Sequence, residues 1–267
     1  MLATVTVRVL VLVLSIDREP WRSIELDGQR ATWASASPLD DDVPVRFYRG
    51  RRTGPGRLTI AGASRLLRLA GSQHPGSRAA SLRDRFLRRA GNHYSTAEAI
   101  TIDDIVHTGV PETYDMVATK LFVALRHMLA TEEFDFLLRT NSSTYIDRDR
   151  LRRSASLAPR ARYWGGFPGE LGDISFTSGA GTLLSRDVVE RTIEANWDWS
   201  RIDDVALGAV LMSLGIERHS LARPVLTSPA DAESTDLDAF MWRCKGLGER
   251  NDAATMRALH EALRSRR

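Results

Sequence analysis

Two tandem carboxylates, Asp203-Asp204, open an apolar run, DDVALGAVLMSLGI, with the composition of a buried helix. An acid at a helix N-terminus caps orphan amides and complements the dipole, and that role alone explains one of the pair. The second is spare. At the edge of a cleft it could take the proton of an attacking hydroxyl, so Asp204 is the candidate general base, with Asp203 beside it. A second polar cluster, Asn141-Ser142-Ser143, follows the apolar run FDFLLRT. In open α/β sheets, ligands lie beyond the carboxyl ends of strands, which places a cofactor or substrate group near these residues. An ordinary Asn/Ser-rich turn accounts for the segment equally well.

Two further stretches carry weaker signals. SFTSGAGTLLSRDVV holds Gly179 and Gly181, which allow backbone to approach a ligand or another strand, then Ser185 and Asp187, which suit the start of a helix. It lacks the third glycine and the preceding strand of a dinucleotide-binding fingerprint. Lys120 and Lys245 are the only lysines among 37 basic residues. Retained in an arginine-rich chain, they hint that a compact ammonium is wanted there. In WRCKG, Arg243 and Lys245 could reach phosphates, although solvated side chains would read the same way.

The elements that must hold these residues alternate between strand and helix. The β-branched run Val5 to Leu14 reads as a buried strand, Trp21 to Trp33 as a helix with Ile24, Leu26 and Trp33 apolar, and Val43 to Arg49 as a strand after a Pro/Asp-rich turn. Gly50 to Gly76 reads as a surface loop with one short helix near Ser64 to Leu69. Ser81 to Ala90 suits a helix, and Ala99 to Ile102 a third strand. From Thr113 to Leu129 a broad apolar face predicts the best helix, and Phe134 to Thr140 a central strand covered on both sides. The second half predicts helices near Asp147 to Leu157, after Ser185, at Asp204 to Leu214 and at Asp252 to Arg264. Its strands are expected at Arg162 to Phe167 and Arg218 to Ala222. The alternation favours an α/β fold with a mixed, mostly parallel central sheet flanked by helices. It reads as one domain over residues 1–267, with halves 1–140 and 141–267.

Composition narrows the function. A chain of 267 residues, 43% hydrophobic, can bury a full core. One cysteine, Cys244, cannot form an internal disulfide, so nothing requires an oxidising compartment and the cytoplasm is the expected location. The run ending at Leu14 falls well short of the roughly 20 residues of a membrane span, and charged Asp17, Arg18 and Glu19 follow where a signal-peptide cleavage site would need small residues. The net charge is +3, and 34 acidic residues are interspersed with the basic ones, which argues against nucleic acid as a partner.

In this order the motifs resemble the β-1,3-galactosyltransferase and fringe-like superfamily of glycosyltransferases, of GT-A fold. The resemblance rests on VLVLS followed by QRATW, on ETYDMVATKLFVALRHM, on FDFLLRTNSSTYID, on SGAGTLLSRDVV and on DDVALGAVLMSLGI, covering roughly residues 5–33 and 112–217. It implies transfer of a hexose from a nucleotide-diphosphate sugar, a UDP-sugar, to an acceptor hydroxyl with inversion. It assigns Asp204 as base and Arg30, Trp33 and Lys120 to the donor pocket. Asn141, Ser142 and Ser143 then lie at the diphosphate, with Gly179, Asp203, Arg243 and Lys245 nearby. The family's aspartates hold Mn²⁺ or Mg²⁺ at the triplet, but Asn141-Ser142-Ser143 has no carboxylate, and neutral amide and hydroxyl groups bind such ions weakly. Asp147 and Asp173 are possible substitute ligands. A metal-independent enzyme with basic clamps from Lys120, Arg243 and Lys245 is one expectation; an inactive nucleotide-sugar- or glycan-binding module of the same fold is the alternative.

Overall fold

The apolar run near the start becomes β1, Val9–Leu14, whose side chains are buried on both faces. Helix α1, Trp21–Ser23, passes without a break into a π-helical stretch, Ile24–Arg30, that buries Ile24, Glu25 and Gln29. Strand β2, Val45–Arg51, leads into α2, Pro55–Leu69, and α3, Arg78–Tyr94. Strands β3, Ala99–Ile102, and β4, Ile105–Pro111, form a hairpin, and a single 3₁₀ turn, Tyr114–Met116, precedes α4, Val117–Thr131. The second half comprises β5 (Phe136–Asn141), β6 (Thr144–Ile146), α5 (Arg148–Leu157), β7 (Trp164–Leu171), β8 (Ile174–Ser185), α6 (Arg186–Glu194) and α7 (Asp203–Ser213). Short strands β9 (Arg218–Ser220), β10 (Val225–Leu226) and β11 (Met241–Cys244) then lead to α8, Asp252–Ser265. This computed structural model describes residues 7–35, 43–70 and 76–266.

Eight strands form one twisted sheet in the order β3-β4-β2-β1-β5-β8-β7-β9. Strands β4, β2, β1 and β5 run parallel, so their carboxyl ends share one edge; β3, on the other side of β4, and β8, beside β5, run antiparallel to those neighbours. A smaller sheet, β10-β11-β6, stands where β5 turns out of the main one. The alternation along β1 separates two cores. Val9, Val11 and Val13 pack with Ile24, Trp33, Trp242 and the apolar side of α8, whereas Leu10 and Leu12 pack with α4, α6 and α7. With both faces covered, a parallel strand needs a continuous apolar run, which β1 and β5 supply. The result is the mixed α/β sheet flanked by helices expected of a GT-A-like single domain.

Several boundaries differ from the sequence reading. Between Gly50 and Gly76 the short helix expected near Ser64 to Leu69 is the second half of the four-turn helix α2; its first half is hidden by the glycines and arginines of PGRLTIAGASRLLRL. Residues 71–75 of that stretch, the Pro/Asp-rich turn over 36–42 and Val5 of the first strand lie outside the described residues. The Gly-rich segment is not a connection but β8, twelve residues long and preceded by a tight hairpin from β7. A Cβ on Gly181 would sit 2.3 Å from the sulfur of Met241, so the glycine admits the β11 side chain against the strand. Strand β4, IVHTGVP, went unread because Gly109 and Pro111 break its pattern. Of the three apolar residues read in the first helix, Ile24 and Trp33 are buried and Leu26, on the π-helical stretch, is exposed.

Candidate active site

The apolar run of β5 ends in Arg139, Thr140 and Asn141, and the next two residues make the tight turn to β6. Asn141 shapes that turn itself: its Oδ1 accepts the Ser143 N–H at 3.1 Å, the usual Asx-turn bond. The turn is then tied from three sides. Gln29, fully buried on the π-helix, donates to the Asn141 carbonyl at 3.1 Å; Thr140 and Thr144 hydroxyls donate to the Ala180 carbonyl of β8, both at 2.9 Å; and the Cys244 N–H donates to the Ser143 carbonyl at 2.7 Å. The polar turn is therefore rigid, and Ser142 and Ser143 are largely buried within it.

The acidic pair divides into two roles. Asp203 is buried and ion-paired with the guanidinium of Arg139, which locks the start of α7 to the end of β5. Gly179 makes this possible, since a Cβ there would fall 2.2 Å from Nη1 of Arg139. Asp204 is less buried: its Oδ2 accepts the Gly179 N–H at 3.2 Å and its Oδ1 the Val205 N–H at 2.9 Å. Neither acid is the N-cap, which is Ile202. Ser185 does occupy the N-cap of α6, but its hydroxyl engages Asp187 and the Tyr163 N–H instead of the helix amides.

Beside Asp204 the charge becomes basic. Arg223 lies just before β10, with its guanidinium over the ring of Phe167 at 4.3 Å and Nη1 donating to Ser178 Oγ at 2.8 Å. Its Nε is buried without a partner. Burial first, then the neighbouring charge of Arg243, pushes the guanidinium down from its ordinary value to about 10. Arg243 sits on β11 opposite Thr144, and no carboxylate among the described residues pairs with it or with Arg223. Arg250 reaches the turn as well: it donates to Ser143 Oγ at 3.1 Å while Asp252 holds it through two bonds of 2.9 and 2.8 Å. Lys245 is exposed immediately after β11. Arg139, Arg223, Ser178, Gln29 and Arg250 were missed in the sequence. Only Arg139, a lone charge at the end of an apolar strand, left a signal there.

The other residues expected at the donor pocket lie elsewhere. Arg30 is held by Glu25 at 2.9 Å and by both oxygens of Asp104, above the ring of Phe47. Trp33 is buried in the core between the π-helix and α8. Lys120 is buried and ion-paired with Glu112, whose other oxygen accepts the Gly50 N–H at 2.6 Å. Glu112 also lines a cavity of about 450 Å³ at the carboxyl ends of β2 and β4, together with Asp17, Arg49, Gly50, Arg52 and His107. Lys120 thus lies beneath that cavity. Its size is that of a small-molecule site.

A divalent cation finds little here to hold it. Asn141 Oδ1 is turned into its own turn, Asp147 caps α5 through the Arg150 N–H, and Asp173 is exposed at the tip of the β7–β8 hairpin. Among the described residues no three His, Cys, Asp or Glu side chains gather as metal ligands. The donor set does not fit Mn²⁺ or Mg²⁺.

Comparison with known proteins supports a glycosyltransferase relationship. Over 148 residues, 47% of this chain, it is 26% identical to the UDP-GalNAc:beta-1,3-N-acetylgalactosaminyltransferase 2 of Xenopus laevis. The match covers 30% of that relative's length. No family model matches the chain. No helix among the described residues is long and apolar enough to cross a membrane.

Proposed function

We propose that this chain transfers a hexose from a UDP-sugar to an acceptor hydroxyl with inversion and without a divalent metal. One observation carries the reading: two arginines without acid partners among the described residues, Arg223 and Arg243, converge beside the β5–β6 turn and next to Asp204. An uncompensated pair of cations in a partly buried site is stabilised by a bound anion, and guanidinium is the side chain best suited to phosphate oxygens. The diphosphate lies against Arg223, Arg243 and Lys245, with Ser143 and Arg250 at its rim. The nucleoside occupies the cavity at β2 and β4, where Lys120 supports Glu112 from below, while Arg30 and Trp33 hold the π-helix in place.

In the reaction, Asp204 removes the proton of the acceptor hydroxyl as its oxygen bonds to the anomeric carbon from the face opposite the diphosphate. The bond from that carbon to the phosphate oxygen breaks, and the charge left on the UDP is met by the fixed guanidinium groups. UDP-GalNAc is the first donor to test, since the similar protein's name carries it. The test is transfer from UDP-GalNAc and other UDP-hexoses to sugar acceptors in excess EDTA and with added Mn²⁺. Equal rates in the two conditions support the proposal; a strict need for Mn²⁺ overturns the metal-free part.

A second reading, a nucleotide-sugar-binding module without transfer, is favoured by one detail: both Asp204 oxygens already accept backbone N–H bonds. Tight UDP binding with no turnover for any donor would support it.

A further inference from the structure

The net charge of +3 is not spread over the molecule. Residues 55–94, the segment of α2 and α3, contain eight arginines and a single acid, Asp84, which leaves the rest of the chain four charges negative. The even mixing expected from composition therefore fails at the level of structure. On α3, Arg78, Leu82, Arg85 and Arg89 recur at intervals of four and three residues, form one stripe, and are all exposed. Arg83 and Arg88 of the same helix are instead ion-paired with Asp115 and Asp198. The packed neighbour α2 turns Ile60 toward the core and shows solvent Leu58, Arg65, Leu66 and Leu69. Its three exposed leucines are 72, 68 and 77% accessible and, spaced by eight and three residues, lie on one side of the helix.

A stripe of leucines edged by arginines without acids is poorly placed in water and suits the boundary between lipid headgroups and acyl chains. We infer that the α2–α3 face docks this protein onto an anionic bilayer surface, with Leu58, Leu66 and Leu69 entering the interface and Arg65, Arg78, Arg85 and Arg89 meeting lipid phosphates. The leucines decide for lipid over nucleic acid, whose backbone would engage the arginines and leave the apolar strip wet. Helix α2 starts beside the end of β4, where Tyr94 and Pro111 fill the space around Gly56. The inference concerns binding alone and stands whether or not the chain transfers a sugar.

The test is flotation of the full chain with vesicles of phosphatidylcholine containing one quarter phosphatidylglycerol, against pure phosphatidylcholine vesicles and a DNA duplex. Anionic vesicles should carry the protein at least about tenfold better than neutral ones, since each arginine near the surface contributes about fivefold in affinity. R65Q/R85Q/R89Q should weaken flotation by about a hundredfold. L58Q/L66Q/L69Q should weaken it about tenfold even at low salt. All six side chains are exposed, and an unchanged circular-dichroism melt of each variant shows that the fold is intact. Failure of the wild type to float on anionic vesicles overturns the inference. So does flotation indifferent to the leucine variant, or DNA binding as tight as vesicle binding.

Discussion

Two charged regions share the carboxyl edge of the parallel strands and differ in how their charges are balanced. At the ends of β1, β2 and β4, Glu25 takes Arg30, Arg49 and the Ser15 hydroxyl, Asp104 takes the rest of Arg30, Asp17 takes Arg52, and Glu112 takes Lys120. Each of these four cations, Arg30, Arg49, Arg52 and Lys120, has a carboxylate. Around the β5–β6 turn, Arg139 and Arg250 have theirs, whereas Arg223 and Arg243 have none among the described residues. On the proposed function, the difference separates charges that hold the fold from charges that would meet a ligand. Burying a cation is costly unless something pairs with it. Mutation should therefore unfold the first region and disable the second.

The largest effect belongs to the base. Asp204→Asn should lower kcat by about 10²–10⁴-fold while moving the thermal midpoint by less than about 2 °C. A full rate in that variant would remove Asp204 from the chemistry and return it to a structural role. Next comes the paired region: Glu112→Gln leaves Lys120 buried without its counterion and should cost about 3–5 kcal/mol, roughly 10 °C in the midpoint. Adding Lys120→Met should recover most of that loss. If it does not, Lys120 is more than a strut. The smallest change is expected at the unpaired cations. Arg223→Gln and Arg243→Gln should each weaken UDP binding about 10–100-fold by calorimetry, without loss of stability in the free protein. The pH dependence follows from Arg223. Its folded value, about 10, lies below arginine's ordinary range, so the folded protein releases this proton first as pH rises. The cost of keeping the buried cation is full at neutral pH and relaxes above 10. UDP affinity should accordingly be flat from pH 7 to 9 and fall as pH passes 10.

How much of this was legible in the sequence depends on which physical signal each element leaves. β1, β5 and α4 announced themselves because continuous burial demands continuous apolar residues, and of the apolar face over Thr113 to Leu129, Met116, Val117, Leu121, Val123, Ala124, Leu125 and Met128 are all buried. The acidic pair and the polar turn were also visible, since both follow directly from strand and helix ends. β8 was misread because Gly179 and Gly181 weaken a strand pattern for reasons supplied by Arg139 and Met241, residues distant in sequence. Arg223 left no trace at all in LARPV. Its importance lies in the acid that is missing around it, and an absent partner is a property of three-dimensional neighbours only.

The fixed guanidinium charge at Arg223 and Arg243 also bears on turnover. A metal ion can leave together with a departing diphosphate, but these side chains stay behind, so a spent nucleotide would have to escape the full attraction that helped create it. Added salt, which screens exposed charge over about 8–10 Å, would then quicken its escape while slowing its capture. An enzyme built this way would have its fastest cycle at an intermediate ionic strength and would take no direction from the supply of divalent ions around it.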